Sequence, residues 1–386
     1  MFTLFAYNLK SLWVRRSATF LTALAMGATV AVLAGVLALQ QGFQSIFKEG
    51  GRDGVAVFLR PGANSEGSSA FTRDRARRLI GVTGEIETDA AGPLAAMECF
   101  LAIRRERVDG GETNVPIRGV EQRSLDIYRD IEIVAGRTLE FGADEVIVGE
   151  KLVDRIAGCR LGEVIVINVT PFRVVGVFRS ESPFDSEIWG DIERMLPTLN
   201  RSGPNRVVAR MKDDTDLAAL SARLENDQEV PAKVLSEAEY LANQTGALSA
   251  TLFVLGGFLA VVMGIAAVFT AVNTMLAAIS ARTFEIGILL ATGFRPFPIF
   301  LAFLFEAMVL GLLGGVLGCL IVLPINGIET GTTNFDTFSE VAFAFRVTPF
   351  VLLTAITFAI LLGLIGGTIP AWKAARMSPT EALRRG

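Results

Sequence analysis

Few side chains in this sequence have the types and spacing that catalysis needs. The 386 residues contain no histidine, which removes the commonest general base and the commonest metal ligand. No GxxxxGK[ST] sequence occurs, so the chain cannot hold nucleotide phosphates in the P-loop manner. No spacing of carboxylates or cysteines assembles a catalytic pair or a metal site. We therefore expect a chain that is not an enzyme and holds no cofactor, and its net charge of −4 gives no attraction to nucleic acid.

The most informative spacing of charges lies in residues 273–296, which separate two long apolar runs. The pattern predicts a short helix from about Ile279 to Thr292, ended by Gly293 and prevented from continuing by Pro296. We expect this helix to lie on the cytoplasmic membrane face and to dock a separate motor protein. The charges that interrupt the apolar sequence are those of Arg282, Glu285 and Arg295.

Glu306 is the only acidic residue inside an apolar run, and an acid in the middle of a bilayer is costly. One interpretation is a proton or ion relay. The other places Glu306 a turn or two inside the cytoplasmic boundary, where it accepts hydrogen bonds from Asn273 or from the Arg282/Thr283 end of the loop. No second buried ionisable group is available to pass a proton on, which favours the second interpretation.

Four apolar runs are long enough to cross a hydrocarbon core of about 30 Å. The sequence therefore predicts a membrane α-helical protein with four transmembrane helices and a large α+β extracytoplasmic domain between helices 1 and 2. Residues 1–17 have the pattern of an amphipathic helix in the membrane interface, and the first span is too long for a cleaved signal peptide. The predicted spans are 18–39, 247–276, 299–323 and 347–369, with the inserted domain at 40–246.

Glycines recur four residues apart in the last two spans, which places each pair on one helix face and lets neighbouring backbones approach closely. These pairs predict tight helix packing without naming the partner helix. They are Gly311/Gly315, Gly314/Gly318 and Gly363/Gly367.

The inserted domain shows short β-branched segments between turn signals, as strands do. A helix is predicted at Thr72–Ile80, and another over Leu217–Leu224 that starts at Asp213, Asp214 or Thr215. A further helix is expected over Glu237–Ala247, leading into the second span. Cys99 and Cys159 leave a single disulfide open, whereas Cys319 is expected to be a packing residue in a span. The predicted strands are Val55–Leu59, Cys99–Ile103, Val115–Val120, Glu145–Val148, Val164–Val169, Phe172–Phe178 and Arg206–Met211.

The distribution of Lys and Arg predicts the orientation. Basic residues occur before the first span, in loop 277–298 and in the tail 370–386, whereas loop 324–346 holds one Arg against three acids. Both termini are therefore expected in the cytoplasm, with residues 40–246 and 324–346 outside it. The basic residues are Lys10, Arg15, Arg16, Arg282, Arg295, Lys373, Arg376, Arg384 and Arg385.

With these residues in view, the chain resembles the MacB/FtsX-like family of ABC-transporter permeases, which includes LolC and LolE. ARTFEIGILLATGFRP at Ala281–Pro296 is similar to the family's R-x-x-EIG-x-L-x-A-x-G pattern. Further similarities are NTM at 273–275, the acidic and glycine-rich span at 306–318, and the ending PAWKAARMSPTEALRRG at 370–386. In the inserted domain they are GR at 136–137, EVIVGEKL at 145–152 and RVVGVF at 173–178.

The resemblance implies a permease that works as a homodimer or with a paralogous permease. Its partner would be a separate cytoplasmic ABC ATPase that binds ATP and Mg²⁺. The segment SPFDSEIWGD at 182–191 looks most like permeases of the DevC type, which use a periplasmic adaptor and an outer-membrane channel. The implied location is the bacterial inner membrane, and the ATPase-coupling residues would be Arg282, Thr283, Glu285, Ile286, Gly287, Gly293 and Arg295.

Within that helix we expect Arg282, Glu285 and Arg295 to face the motor, with Phe284, Ile288 and Leu289 as its apolar anchors. The implied function is export or release of a lipid, lipoprotein, peptide or drug-like substrate, driven by movement of the extracytoplasmic domain. One alternative is a non-transporting regulator of an outside partner such as a cell-wall hydrolase. Another is a secondary transporter that uses Glu306.

Overall fold

The computed structural model describes residues 16–49, 51–180, 182–334, 339–378, 380 and 382. The interfacial helix expected over residues 1–17 falls almost wholly outside these residues. The chain divides into two units. The helical unit comprises Met1–Gly42, Ala250–Ile328 and Ala344–Gly386, and the sheet unit comprises Phe43–Ser249 and Glu329–Phe343.

The helices and strands of the described residues are numbered here along the chain. The helices are α1 Arg16–Glu49, α2 Arg73–Val82, α3 Gln122–Ile127, α4 Ile192–Thr198, α5 Leu217–Glu225, α6 Glu237–Ser280, α7 Thr283–Ala291, α8 Pro296–Val322 and α9 Pro349–Ala375. The strands are β1 Val55–Leu59, β2 Thr88–Asp89, β3 Gly92–Pro93, β4 Ala95–Glu106, β5 Glu112–Val120, β6 Glu132–Gly136, β7 Glu145–Gly149, β8 Val164–Ile167, β9 Thr170–Arg179, β10 Ile188–Asp191, β11 Arg206–Arg210, β12 Lys233–Ser236, β13 Glu329–Asn334 and β14 Ser339–Ala344.

Four segments of the described helices are long and apolar enough to cross a membrane. Their ends differ by a few residues from the spans expected from the sequence, because hydropathy locates the apolar centre of a helix better than its ends. Local chemistry sets two of the starts: Pro296 and Pro349 occupy first-turn positions, where a missing N–H costs nothing, and the Thr348 side chain accepts from Val351 N. The segments are Thr19–Ser45, Ala250–Ser280, Pro296–Ile325 and Pro349–Ala375.

The short helix expected from about Ile279 to Thr292 begins later, and this corrects the prediction. Helix α6 continues to Ser280, a turn follows at residues 281–282, and α7 starts at Thr283. The Thr283 hydroxyl donates to the carbonyls of Ile279 and Ser280, so the turn between the two helices is held by its own side chain. The predicted end of the helix differs by only one residue.

The sheet unit is built on one mixed sheet of ten strands among the described residues. Its order is β12-β1-β11-β4-β5-β10-β7-β9-β6, with β8 paired to β9. Pairs β5–β10 and β7–β9 are parallel, and the other pairs of this sheet are antiparallel. All five residues of β1 are buried, as expected for a central strand with both faces covered.

Local capping explains the helix starts of the sheet unit. The Thr72 side chain accepts from Arg75 N and caps α2, which lies at the helix expected over Thr72–Ile80. Helix α5 is capped instead by Asp216, whose carboxylate accepts from Ala218 N and Ala219 N. The expected start at Asp213, Asp214 or Thr215 is therefore wrong, because the last Asx residue before the apolar face provides the cap.

Two features of the sheet unit were open or absent in the sequence analysis. Cys99 and Cys159 are buried free thiols, so they form no disulfide. The segment expected to be a plain loop at 324–346 contains the hairpin β13–β14, and Ala342 N donates to Ser186 Oγ at 3.2 Å. The hairpin residues Glu329–Phe343 therefore belong to the sheet unit.

Candidate functional site

Helix α7 has a defined end that presents its last turn in a fixed geometry. Gly293 adopts φ +93°, a left-handed conformation that favours glycine. Gly293 N donates to Leu290 O at 3.2 Å and Phe294 N donates to Leu289 O at 3.1 Å, which together form a Schellman motif. The Gly293 stop expected from the sequence is therefore a specific hydrogen-bonded cap.

Arg282, at the start of α7, is buried with 9% of its surface exposed. Its Nη1 lies 3.5 Å from Glu306 Oε2 on α8, and its Nε donates to Glu285 Oε2 at 3.2 Å. The guanidinium carbon lies 5.6 Å from the centre of the Phe303 ring. The expectation that Arg282 faces a motor protein is thus corrected, because the side chain is used to join the α7 start to α8.

Glu306 is 4% exposed, and the structure decides among the partners expected for it. Of the expected groups, Arg282 is the one in contact with it, as an ion pair from Nη1 to Oε2 at 3.5 Å rather than as a hydrogen bond to that oxygen. The Thr283 hydroxyl is directed to the carbonyls of Ile279 and Ser280, and Asn273 is exposed and makes no hydrogen bond to Glu306 within the described chain. The pair places the one acidic residue of this span next to a cation, which offsets the cost of burying its charge.

The outward face of α7 is partly apolar. Phe284 is 47% exposed and Ile288 is 43% exposed, one helical turn apart, with the half-exposed Glu285 beside them. Phe284 and Ile288 are therefore not the anchors expected from the sequence. Arg295 is exposed, as expected.

The inward face of α7 consists of other residues. Ile286 and Gly287 are buried, and Leu289 packs with Leu290 on an apolar cluster. Of the three anchors expected, only Leu289 has that position. The cluster brings together side chains of α6, α7, α8 and α9. Its buried members are Met275, Ile279, Ile286, Ile299, Phe303, Ala307, Leu310, Ala371 and Ala374.

The span glycines lie at close helix contacts, and the structure identifies the partners. A Cβ on Gly311 would come within 2.5 Å of Ala359 O, and one on Gly363 within 2.5 Å of Ala307 O, which joins α8 to α9. The glycine face of α8 at Gly318 lies instead against α1, where a Cβ would be 2.7 Å from Gly27 O. Gly315 and Gly367 are similarly close to α9 and α8, through Ala359 and Ala307.

The sheet unit contains a second constellation, which the sequence analysis missed. We call it the charge cluster: Glu66, Glu98, Arg118, Glu187 and Arg206, with Tyr128 and Tyr240, all at most 5% exposed. Arg118 donates to both oxygens of Glu187, at 2.7 and 2.8 Å, and to both oxygens of Glu66. Arg206 donates to Glu98 Oε2 and Glu66 Oε1, each at 2.8 Å. The only signal in the sequence is a charged residue inside an apolar strand, as in VPIRGV.

Electrostatics explains why these charges tolerate burial. Burial alone would raise the pKa of Glu66, but the charges of Arg118 and Arg206 outweigh it and hold that pKa below its ordinary value. Burial raises the pKa of Glu237, beside the cluster, and its neighbours Arg52 and Arg206 offset this only in part. In the described residues no group of His, Cys, Asp or Glu has the geometry of a metal site.

The described chain thus combines helices of membrane-spanning length, a mixed α/β domain inserted in sequence between the first two, and a capped helix between the second and third spans. Two family models match: MacB-like periplasmic core domain over residues 19–227 and FtsX-like permease C-terminal over residues 257–379. The chain belongs to the MacB/FtsX-like family of ABC-transporter permeases.

The chain is also similar to individual proteins, two by sequence and one by structure. The chain is 25% identical to the "Macrolide export ATP-binding/permease protein MacB 2" of Aeromonas hydrophila, covering 98% of this chain but only 60% of that protein. It is 26% identical to the "Uncharacterized ABC transporter permease YknZ" of Bacillus subtilis, covering 97% of both. The solved periplasmic region of MacB from Actinobacillus actinomycetemcomitans aligns with 49% of this chain and 91% of its own, at 13% identity and a TM-score of 0.38.

Proposed function

We propose that this chain couples ATP hydrolysis by a separate cytoplasmic ABC ATPase to movement of its sheet unit outside the membrane. The movement would serve export or release of a lipid, lipoprotein, peptide or drug-like substrate. The observation that carries the proposal is helix α7, which is capped at one end, joined to α8 at the other and exposed along the Phe284/Ile288 face. Because both of its ends are held, such a helix could transmit a force that is applied to its exposed face.

The ATPase is proposed to be a separate chain for two reasons. YknZ of Bacillus subtilis, which matches this chain over 97% of both lengths, is named a permease with no ATP-binding part. This sequence also has no GxxxxGK[ST] motif. The remaining proposed partners are a second permease chain, identical or paralogous, together with a periplasmic adaptor and an outer-membrane channel. The native mass and composition of the purified complex test them.

Photo-crosslinking from the exposed face of α7 tests the proposal. A benzoyl-phenylalanine placed at Phe284 in the full chain, expressed in its own host, should capture a protein that contains a P-loop. The matched control is the same residue at Phe253, which is 66% exposed on the second span. Capture of the same products from both positions, or of no ATPase from Phe284, would contradict the proposal.

A partner captured together with the permease also decides between export and regulation. An adaptor in the complex supports export, whereas a cell-wall hydrolase supports the regulatory alternative. A secondary transporter would need no ATPase, and its activity would persist without ATP and end when the proton gradient is removed.

A further inference from the structure

The charge cluster is attached to both segments that connect the sheet unit to its first two spans in sequence. Tyr240 lies in the first turn of α6, the helix whose later residues form the second span. It is 1% exposed, and its hydroxyl donates to Glu66 Oε1 at 2.9 Å. Glu66 in turn accepts from Arg118 on β5 and Arg206 on β11. The first turn of α6 is therefore hydrogen-bonded to a carboxylate that two neighbouring arginines of the sheet hold in place.

The segment that follows α1 is tied to the same turn. Arg52, three residues after the end of α1, donates from its backbone N to Glu237 Oε2 and from Nη1 to Glu237 Oε1, each at 3.0 Å. Glu237 has no exposed surface. The backbones are also in contact, because a Cβ on Gly51 would come within 2.4 Å of Ala238 Cα.

Arg52 also connects this turn to the interior of the sheet unit. Its guanidinium pairs with Asp130 and lies 4.6 Å from the centre of the Tyr128 ring. The Tyr128 hydroxyl accepts from Arg206 Nη2 at 2.8 Å and donates to Glu98 Oε2. A continuous series of charged and aromatic contacts therefore runs from Arg52 to the central strands.

The hairpin between the third and fourth spans reaches the same region. Its Ala342 N donates to Ser186 Oγ, and the next residue, Glu187, accepts two hydrogen bonds from Arg118. The Phe343 ring packs edge-on against Phe43, with centroids 5.4 Å apart. Two segments that are far apart in sequence thus contact the charge cluster directly, and the hairpin is bonded to the residue that precedes its Glu187.

We propose that the charge cluster is a mechanical joint, which fixes the first turn of α6, the segment at Arg52 and the β13–β14 hairpin to the central strands as one body. This inference rests on the proposed function, since it says how movement would enter the sheet unit. Apolar side chains can slide past each other with little change in energy. Buried ion pairs with defined hydrogen bonds resist displacement, because separating them leaves a charge unpaired away from water.

Amide hydrogen exchange on the full chain in lipid nanodiscs tests the joint. Tyr240→Phe removes one hydroxyl and Glu237→Gln removes one charge, while Glu239→Gln is the control because Glu239 is exposed in the same turn. We expect exchange of residues 237–244 to become about tenfold faster in the two variants, the effect of losing a hydrogen bond to a charged group. Exchange in β7 and β9 should not change. Equal exchange rates in variants and control, or uniformly faster exchange throughout the sheet unit, would overturn the proposal that the charge cluster is a joint.

A second measurement separates the joint from a purely structural role. In the complex with the crosslinked ATPase, ATP should change amide exchange within β4, β5 and β11 of the chain that has no charge-cluster substitution. Tyr240→Phe should reduce that change severalfold at a temperature where both proteins remain folded, and an undiminished change would overturn the proposal that the charge cluster is a joint. Failure to capture an ATPase from position 284 in a chain whose charge cluster is unaltered would overturn the proposed function instead, so the two failures are distinguishable.

Discussion

Arg282 and Glu306 connect the start of α7 to the third span through a buried ion pair, with Phe303 beneath the guanidinium. In a buried ion pair, each residue limits which substitutions the other tolerates. Removing one takes a buried opposite charge away from the other, whereas removing both leaves mainly a packing change. The pair therefore helps to set where α7 begins.

Arg282→Gln should lower the free energy of unfolding by about 3–5 kcal/mol, because Glu306 would keep a buried charge without its cation. The double variant Arg282→Met/Glu306→Met should lose clearly less. Thermal unfolding in detergent measures both. The control is Glu285→Gln, whose carboxylate is half exposed and should contribute at most about 1 kcal/mol. If Arg282→Gln and Glu285→Gln melt alike, the pair does not hold the helix.

Glu66 makes the stability of the sheet unit depend on acid. Its pKa is held below the ordinary value, so its contribution is complete above the unfolded value of about 4.3 and is lost as pH falls through the lower folded pKa. Glu237 has a raised pKa and acts in the opposite direction: its contribution is complete below about 4.3 and is lost as pH rises through the higher folded pKa.

We therefore expect the melting temperature of the full chain to rise slightly on mild acidification and to fall steeply below about pH 4.3. The fluorescence of the buried Trp189, which donates to Glu187, follows the unfolding. In Glu237→Gln the initial rise should become smaller, since burial also raises the pKa of Glu121 and of Asp185, while the fall remains. A melting temperature that does not fall as the pH drops below about 4.3 would contradict this assignment to Glu66.

At the scale of elements, α8 packs between α9 and α1 through faces on which glycines allow close contact. The α8–α9 contact is close at Gly311 and Gly363, and the α8–α1 contact is close at Gly318. Small residues allow this approach in a membrane, where association depends on packing rather than on expulsion of water. These contacts keep the helix that follows α7 in a fixed position.

Gly311→Ala should destabilise the helical unit by about 1–3 kcal/mol, since the added methyl would meet Ala359 O at 2.5 Å. Gly257→Ala is the matched control, because a Cβ at that helical position has nothing within 4 Å. There the substitution should be neutral or stabilising by about 1 kcal/mol. Melting curves in detergent compare the two, and equal effects would show that the close contact is absent in solution.

The elements also show what sequence reasoning can and cannot reach. Membrane helices, β-branched strands and the Gly293 cap follow from local pattern and were predicted. The start of α7 was not, because it depends on a partner 24 residues away, and the outward position of Phe284 contradicts a rule that assigns apolar residues to anchors. The charge cluster was missed because its members, from Glu66 to Tyr240, share no local pattern and meet only when β4, β5 and β11 are adjacent.

At the scale of the whole molecule, we propose that α7 lies inside the cell and the sheet unit outside it. Single cysteines at Asp109 and Arg295 test it, since both side chains are exposed. An impermeant maleimide added to intact cells should label Asp109→Cys at once and Arg295→Cys only after permeabilisation. The reverse pattern would invert the topology.

The three native thiols have a consequence for how the protein matures. Burial raises the pKa of Cys99 and of Cys159 to about 12, so neither side chain provides a thiolate for attack or oxidation at neutral pH. Because no disulfide closes the sheet unit, the chain can complete the fold of that unit without an oxidase or a disulfide isomerase. The time that it needs to become functional is then set by strand pairing and helix insertion, in an oxidising or a reducing environment alike.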